Sequence, residues 1–167
     1  MLKHVLALIL LSPVAHAGDL TGTCADDDHA QFIEAKVFAR AQNGLYMSDA
    51  NAVQWALAFN QTHKCGTIVT FEARYHALYS YATDYLGLGN LFDASDVRSY
   101  AFRFVEDKSV DTVNAWKRTF PVIKNFLGHY LFNNDHNATE GAKDWNEQNC
   151  GPAAAVQAIQ EIGRAHV

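Results

Sequence analysis

An internal repeat constrains the fold of this chain more than any other feature of its sequence. The segments Phe38–Leu45 and Tyr81–Leu88 share an aromatic residue, an alanine, a glycine and a leucine at an offset of 43 residues. Further along, two stripes of apolar side chains match at an offset of 45 residues. The matched pairs are Ala52 with Val97, Trp55 with Tyr100, Ala56 with Ala101 and Phe59 with Phe104. Because each stripe has the i, i+3, i+4, i+7 spacing of one helix face, the period predicts a repeated helical unit.

Each unit is predicted to be a helical hairpin. We expect the first helix of the two clearer copies to cover residues 31–42 and 71–86, and a glycine-containing turn leads from each to a second helix. Gly44 and Gly87 follow the first helices, where a left-handed residue commonly closes a helix. Ser48 then offers a side-chain oxygen to the free amides of the second helix of copy one.

The rest of the chain extends the helical pattern. An amphipathic segment over residues 109–132 contains Pro121, where we expect the helix to kink or restart. Ala142 and Trp145 continue the 45-residue step, but Asn146 and Asn149 break the apolar stripe, so the third copy is fainter. The sequence predicts an all-α fold of helical-hairpin repeats with a period of about 45 residues, packed as a small bundle or a solenoid fragment. The predicted repeat core consists of Trp55, Phe59, Tyr100 and Phe104.

The N-terminus is typical of a secretory signal peptide. A basic start precedes the apolar run Val5–Leu11, and Ala15 and Ala17 are the small residues that a signal peptidase requires. The apolar run is much shorter than the roughly 20 residues of a membrane-spanning helix, which disfavours a retained anchor. We therefore expect removal of residues 1–17 and a secreted or periplasmic protein without a transmembrane anchor.

The C-terminus has an unusual sequence. Residues Ile162–Val167 can be encoded by a nucleotide string that resembles the adaptor commonly ligated to fragments for short-read sequencing, with a stop codon directly after it. We interpret residues 161–167 as adaptor read-through outside the fold, and a genuine frayed tail is the alternative. On this interpretation residues 18–160 form a single helical-repeat domain that is truncated, so the fold is C-terminally incomplete.

The chain contains three cysteines, Cys24, Cys65 and Cys150. Export to an oxidising compartment makes pairing the default, and an odd count indicates either a free thiol or a bond to another chain. Truncation offers a further explanation, in which the partner of Cys150 has been lost. Connectivity cannot be derived from sequence alone, but Cys24 and Cys65 flank the first hairpin, so we predict a disulfide between them.

Charge excludes one class of partner. The formal net charge is −5, and no basic cluster occurs anywhere along the chain, so nucleic-acid binding is not expected. The expected partner is an unknown protein or a component of the cell envelope.

Three clusters of potential metal ligands have ordinary structural explanations. Asp26–His29 lacks the alternating spacing of a calcium loop and resembles the acidic entry to a helix. Glu72 and His76 are four residues apart, unlike the three-residue spacing of di-iron bundles, and read as a surface pair. His129, Asp135 and His136 surround a polar turn that needs no ligand. The sequence therefore predicts no catalytic residue, no metal ligand and no cofactor.

The leading functional hypothesis is an exported helical-repeat module that binds a partner and is not an enzyme, because arrays of helical hairpins expose extended faces. The alternative is a small exported enzyme, metal-dependent or hydrolytic, with part of its site lost in the truncation. A structural or inhibitory protein of the cell envelope is a third hypothesis, and the sequence does not separate it from the first.

Overall fold

A computed structural model describes residues 20–24, 29–89, 94–148 and 161 of the chain. The described residues form six α-helices and no β-strand, apart from one isolated antiparallel bridge between Thr21 and His63. The prediction of an all-α fold is therefore confirmed. The helices are α1 (His29–Arg40), α2 (Asp49–Thr62), α3 (Ile68–Asp84), α4 (Ser95–Phe104), α5 (Val110–Tyr130) and α6 (Asp135–Glu147). The predicted signal peptide, Asp26–Asp28, Cys150 and the adaptor-like residues 162–167 lie outside the described residues.

Neighbouring helices pack as three successive hairpins. α1 packs on α2, α3 on α4 and α5 on α6, while α3 also contacts α1 and α5. α3 is consequently the central helix, and Phe71, Tyr75, Leu78 and Tyr81 on it are almost completely buried. None of the described helices combines the length and the apolar character required to cross a membrane.

Local sequence explains where several helices begin and end. Ser48 caps α2 as predicted, since its Oγ accepts a hydrogen bond from the amide of Asn51. Ser109 caps α5 in the same way through the amide of Thr112. Gly87 has a φ of 63°, as expected for a left-handed residue after a helix. Gly44 is not left-handed, and glycine is required there because a Cβ atom would collide with the carbonyl oxygen of Phe38.

Of the two outcomes predicted for Pro121, a kink or a restart of the helix, the restart is wrong. α5 continues without a break from Val110 to Tyr130 and contains Pro121 in its interior. Pro121 lies on the exposed side of the helix, where the loss of one backbone hydrogen bond leaves a carbonyl that water can reach. The packing of α5 on both α3 and α6 offsets this local cost.

The N-terminal segment is fastened along the end of α2. Leu20 is fully buried and accepts a hydrogen bond from the amide of Lys64 at 3.0 Å. The amide of Cys24 donates to the carbonyl of Asn60 at 2.8 Å, and Cys24 forms a disulfide with Cys65. The bond therefore joins Cys24, which precedes α1 in the chain, to the turn after α2, and it encloses the first hairpin in a covalent loop.

Candidate functional site

The outer face of α1 carries an apolar groove. α1 buries Gln31, Ala35, Phe38 and Ala39 on one side, where among the described helices it packs on α2 and α3, and the side chains of its opposite side are exposed. Ile33 and Val37, one helical turn apart on that opposite side, are 46% and 62% exposed. They line an open groove of about 560 Å³ together with Phe32, Lys36, Arg40 and Ala41. The two exposed aliphatic side chains on one helix face make this groove a candidate docking surface.

Positive charge lies beside this groove. Lys36 Nζ and Arg40 Nη1 lie 3.4 and 3.1 Å from the same oxygen of Asp49, at the start of α2. The single carboxylate of Asp49 is therefore shared by two cations, and Glu34 is a further exposed carboxylate on the same helix. The three groups of these ion pairs are all partly exposed to solvent, so the ion pairs contribute little to stability.

The loop that follows α1 contains a tyrosine in an unusual conformation. Tyr46 has a φ of 56°, in the left-handed region that residues other than glycine rarely occupy, and its side chain is 63% exposed. The guanidinium of Arg98, on α4, lies 5.3 Å from the centroid of the Tyr46 ring. The ring is therefore held at the surface by a cation and not by burial.

Tyr75 anchors the same loop from below. Its hydroxyl donates a hydrogen bond of 2.9 Å to the carbonyl of Gly44, and burial raises the pKa of the phenol well above its ordinary value. The backbone amides of Tyr46 and Met47 also return to carbonyls near the end of α1, at 3.2 and 2.8 Å. These bonds fix the loop, so Tyr46 is presented on a rigid base.

The predicted repeat-core residues lie in the interior and not in the groove. Phe59 and Tyr100 are buried, while Trp55 and Phe104 are half-buried and pack against the core. The rings of Trp55 and Phe59 are 5.1 Å apart, and those of Tyr100 and Phe104 are 5.0 Å apart. Tyr100 also donates a hydrogen bond to Glu147 at 3.0 Å, and burial raises the pKa of Tyr100.

Two aromatic residues connect the hairpins. Phe38 packs against Trp55 of its own hairpin and against Phe71 and Tyr75 of α3, with centroid distances of 5.9, 5.9 and 5.1 Å. Tyr81 makes the corresponding set of contacts one hairpin later. Its ring packs against Tyr100, Trp116 and Phe120 at 6.3, 5.5 and 5.9 Å.

Buried polar residues also connect the helices, and the sequence pattern did not reveal them. Gln31 Nε2 donates to Asn60 Oδ1 at 3.1 Å, between α1 and α2. Asn146, on α6, donates to the Tyr81 hydroxyl at 3.0 Å and to the Trp116 carbonyl at 3.2 Å. Its Oδ1 accepts a bond of 2.7 Å from Thr119 Oγ1. Asn146 interrupts the apolar stripe of the sequence, yet the residue is buried because these partners satisfy its amide.

A cluster of polar and ionisable side chains lies at the junction of the first two hairpins, and it was not predicted from the sequence. His63 Nε2 lies 2.8 Å from Glu106 Oε1, and the imidazole stacks on Phe59 with a centroid distance of 3.8 Å. The buried guanidinium of Arg74 donates to the Glu106 carbonyl at 3.3 Å. Thr62 Oγ1 lies 2.9 Å from His63 Nδ1. The same hydroxyl donates a hydrogen bond of 2.9 Å to the Ala58 carbonyl, one turn earlier, as is common for threonine in a helix. This group fastens α2 to the turn after α4.

Of the clusters considered for metal binding, the structure describes Glu72 with His76 and the group around His129, while Asp26–Asp28 lie outside the described residues. Among the residues that the structure describes, no three His, Cys, Asp or Glu side chains are arranged to hold a metal ion. Asp135 is instead bound to Lys124 at 2.9 Å. His129 lines a polar cleft of about 600 Å³ between α5 and α6, and His136 is exposed outside its lining. Glu72 and His76 lie on α3, where burial raises the pKa of Glu72 and lowers that of His76.

No protein-family model, characterised protein or solved structure matches this chain.

The groove residues Ile33 and Val37 were not predicted as a site from the sequence. Their signal in the sequence is an excess of apolar residues on α1, more than one helix face can bury.

Proposed function

We propose that this chain is an exported binding module, built from three repeated helical hairpins, that holds a partner protein on the outer face of α1. The observation that carries the proposal is the groove around Ile33 and Val37, whose aliphatic side chains stay exposed beside two cations. Leaving such side chains in water forgoes the free energy of burying them, on the order of 1 kcal/mol or more for each. A partner that covers them recovers this free energy.

The contacts of Phe38 and Tyr81 support the repeat. Phe38 and Tyr81 are 43 residues apart, and their partners Phe71 and Tyr75 correspond to Trp116 and Phe120 at an offset of 45. The edge-on packing of Phe38 on Tyr75, at an interplanar angle of 85°, has its counterpart in the 87° between Tyr81 and Phe120. Equivalent positions that make equivalent contacts are what a stacked array of hairpins requires.

Export is supported by the disulfide between Cys24 and Cys65, because such bonds persist in oxidising compartments. It agrees with the signal-peptide interpretation of residues 1–17. The proposed partner is accordingly a protein of the secreted fraction or of the cell envelope.

A site-specific photo-crosslinker tests this proposal. The photoreactive residue is placed at position 37 of the full chain, and the protein is exposed to the secreted and envelope proteins of its source cells. We expect one dominant crosslinked partner, which is identified by mass spectrometry, produced recombinantly and titrated against the purified chain by calorimetry.

Val69 provides the matched control. It is a valine on α3 with 64% exposure, against 62% for Val37. We expect Val37→Glu to weaken binding of the recombinant partner at least about tenfold, since a charge would enter the apolar contact, while Val69→Glu leaves it unchanged. Equal crosslinking from positions 37 and 69, or equal affinities of the two variants, would contradict the proposal.

A further inference from the structure

Arg98 carries a positive charge that no described carboxylate neutralises. The close ion pairs among the described residues involve Lys36, Arg40, His63, Lys124 and Lys143, and none of them includes Arg98. Arg98 is a half-buried residue, and its guanidinium lies over the Tyr46 ring. A stacked guanidinium is covered on one face, and the N–H groups on its edge stay available for a second, coplanar partner.

Tyr46 is not required by the fold of its loop. Its left-handed backbone favours glycine, and Gly89, the residue 43 positions later, has a comparable φ of 79°. The exposed tyrosine ring gains little from burial, so its contact with Arg98 is the main interaction of this side chain. A strained backbone that carries an exposed aromatic residue points to a role for the side chain itself.

The surrounding charges indicate what this pair binds. Lys36 and Arg40 share the single carboxylate of Asp49, and the loop that carries Tyr46 begins at Ala41, at the end of the α1 groove. The apolar groove lies at one end of this loop, and Arg98, stacked on Tyr46, lies at the other end. The complementary ligand has apolar side chains for the groove and carboxylates for the cations.

We propose that Arg98, stacked on Tyr46, binds a carboxylate of the partner, and that the partner segment is an acidic amphipathic helix lying along α1. This inference rests on the proposed function and names the chemistry of its partner. A helix fits because Ile33 and Val37 are one turn apart, which matches apolar residues spaced by three and four along a partner helix. The carboxylate fits because the edge of a guanidinium donates two parallel hydrogen bonds to its oxygens.

A displayed library of helical peptides tests the inference with the full chain. Each peptide carries a fixed leucine stripe with helical spacing, and its flanking positions vary among Glu, Gln and Lys. We expect selection on the wild-type protein to enrich Glu over Lys at least about tenfold on one flank, by charge complementarity. The best Glu-containing peptide should bind Arg98→Gln at least about tenfold more weakly, because it loses a charge-assisted hydrogen-bond pair. Enrichment of Lys, or no charge preference, would overturn the inference.

Arg103 is the matched control for Arg98. It also lies on α4 and stacks on an aromatic ring, that of the adjacent Phe104 at 5.1 Å, and it is exposed. We expect Arg103→Gln to bind the selected peptide as the wild type does. We expect Tyr46→Gly to lose affinity as Arg98→Gln does, with a melting temperature equal to or above that of the wild type, because glycine relieves the left-handed backbone. A Tyr46→Gly variant that melts lower and binds normally would assign Tyr46 to the fold alone.

Two further outcomes separate this inference from the proposed function. If the selected peptides require Val37 but bind Arg98→Gln normally, the groove stands and the carboxylate subsite is wrong. If the library gives no binder, the groove itself is contradicted, and the proposed function with it. Inorganic phosphate is the free-anion probe, and displacement of the acidic peptide by phosphate at equal affinity would make Arg98 a site for small anions and overturn the peptide assignment.

Discussion

The amide of Asn146 joins three helices, and its replacement gives a stability change that can be worked out from the structure. It donates to Tyr81 on α3 and to Trp116 on α5, and it accepts from Thr119 on α5. Asn146→Ala removes all three bonds. Thr119 keeps the alternative acceptors Ala115 and Trp116 at 3.1 and 3.2 Å, so the Tyr81 hydroxyl is the group that loses its side-chain partner.

The bonds to Tyr81 and Trp116, at about 1 kcal/mol each, predict a loss of roughly 2 kcal/mol, because Thr119 keeps its other acceptors. Alanine returns about 0.5 kcal/mol through its higher helix propensity, so we expect a net loss of about 1–2 kcal/mol in the free energy of unfolding. Urea denaturation followed by circular dichroism measures it, as a lower midpoint at an unchanged m-value.

Asn137→Ala is the control, because Asn137 is an exposed asparagine of the same helix. It isolates the effect of helix propensity, and we expect a change within about 0.5 kcal/mol. If Asn146→Ala has the same midpoint as this control, the buried hydrogen bonds contribute nothing and the reasoning is refuted.

Two further predictions concern the disulfide and a partly buried carboxyl. Reduction of Cys24–Cys65, which spans 41 residues, should lower the free energy of unfolding by about 4 kcal/mol, measured by urea denaturation with and without reductant. An unchanged midpoint would contradict it. Burial, and secondarily Glu34, raises the pKa of Glu72 above 4.5, so the ionised form destabilises the fold. Glu72→Gln should therefore exceed the wild type in stability at neutral pH, and this gain should vanish as the pH falls below 4.5; a gain independent of pH would exclude the carboxyl as its cause.

The helices were predictable because the information that specifies them is local. The apolar stripe through Trp55 and Phe59 lies within a single helix, and the side chain of Ser48 caps an amide only three residues away. The sequence also indicated a pairing of Cys24 with Cys65, as the structure has it, because the two residues flank one hairpin.

The polar interior could not be predicted because its partners are distant in sequence. Asn146 and Tyr81 are 65 residues apart, and His63 and Glu106 are 43 residues apart. A buried polar residue reads in sequence as a break in an apolar stripe unless its partner is known. The groove was missed for a related reason: which apolar face of α1 is covered depends on the packing of α2 and α3.

The covalent loop between Cys24 and Cys65 has a mechanical consequence. Because it closes around α1 and α2, tension applied along the chain passes directly from residue 24 to residue 65 and bypasses the first hairpin. About 140 Å of contour length, from 41 residues at about 3.4 Å each, stays hidden until the bond is reduced. The helix that carries Ile33 and Val37 thus keeps its shape under a pulling force that would extend the two later hairpins.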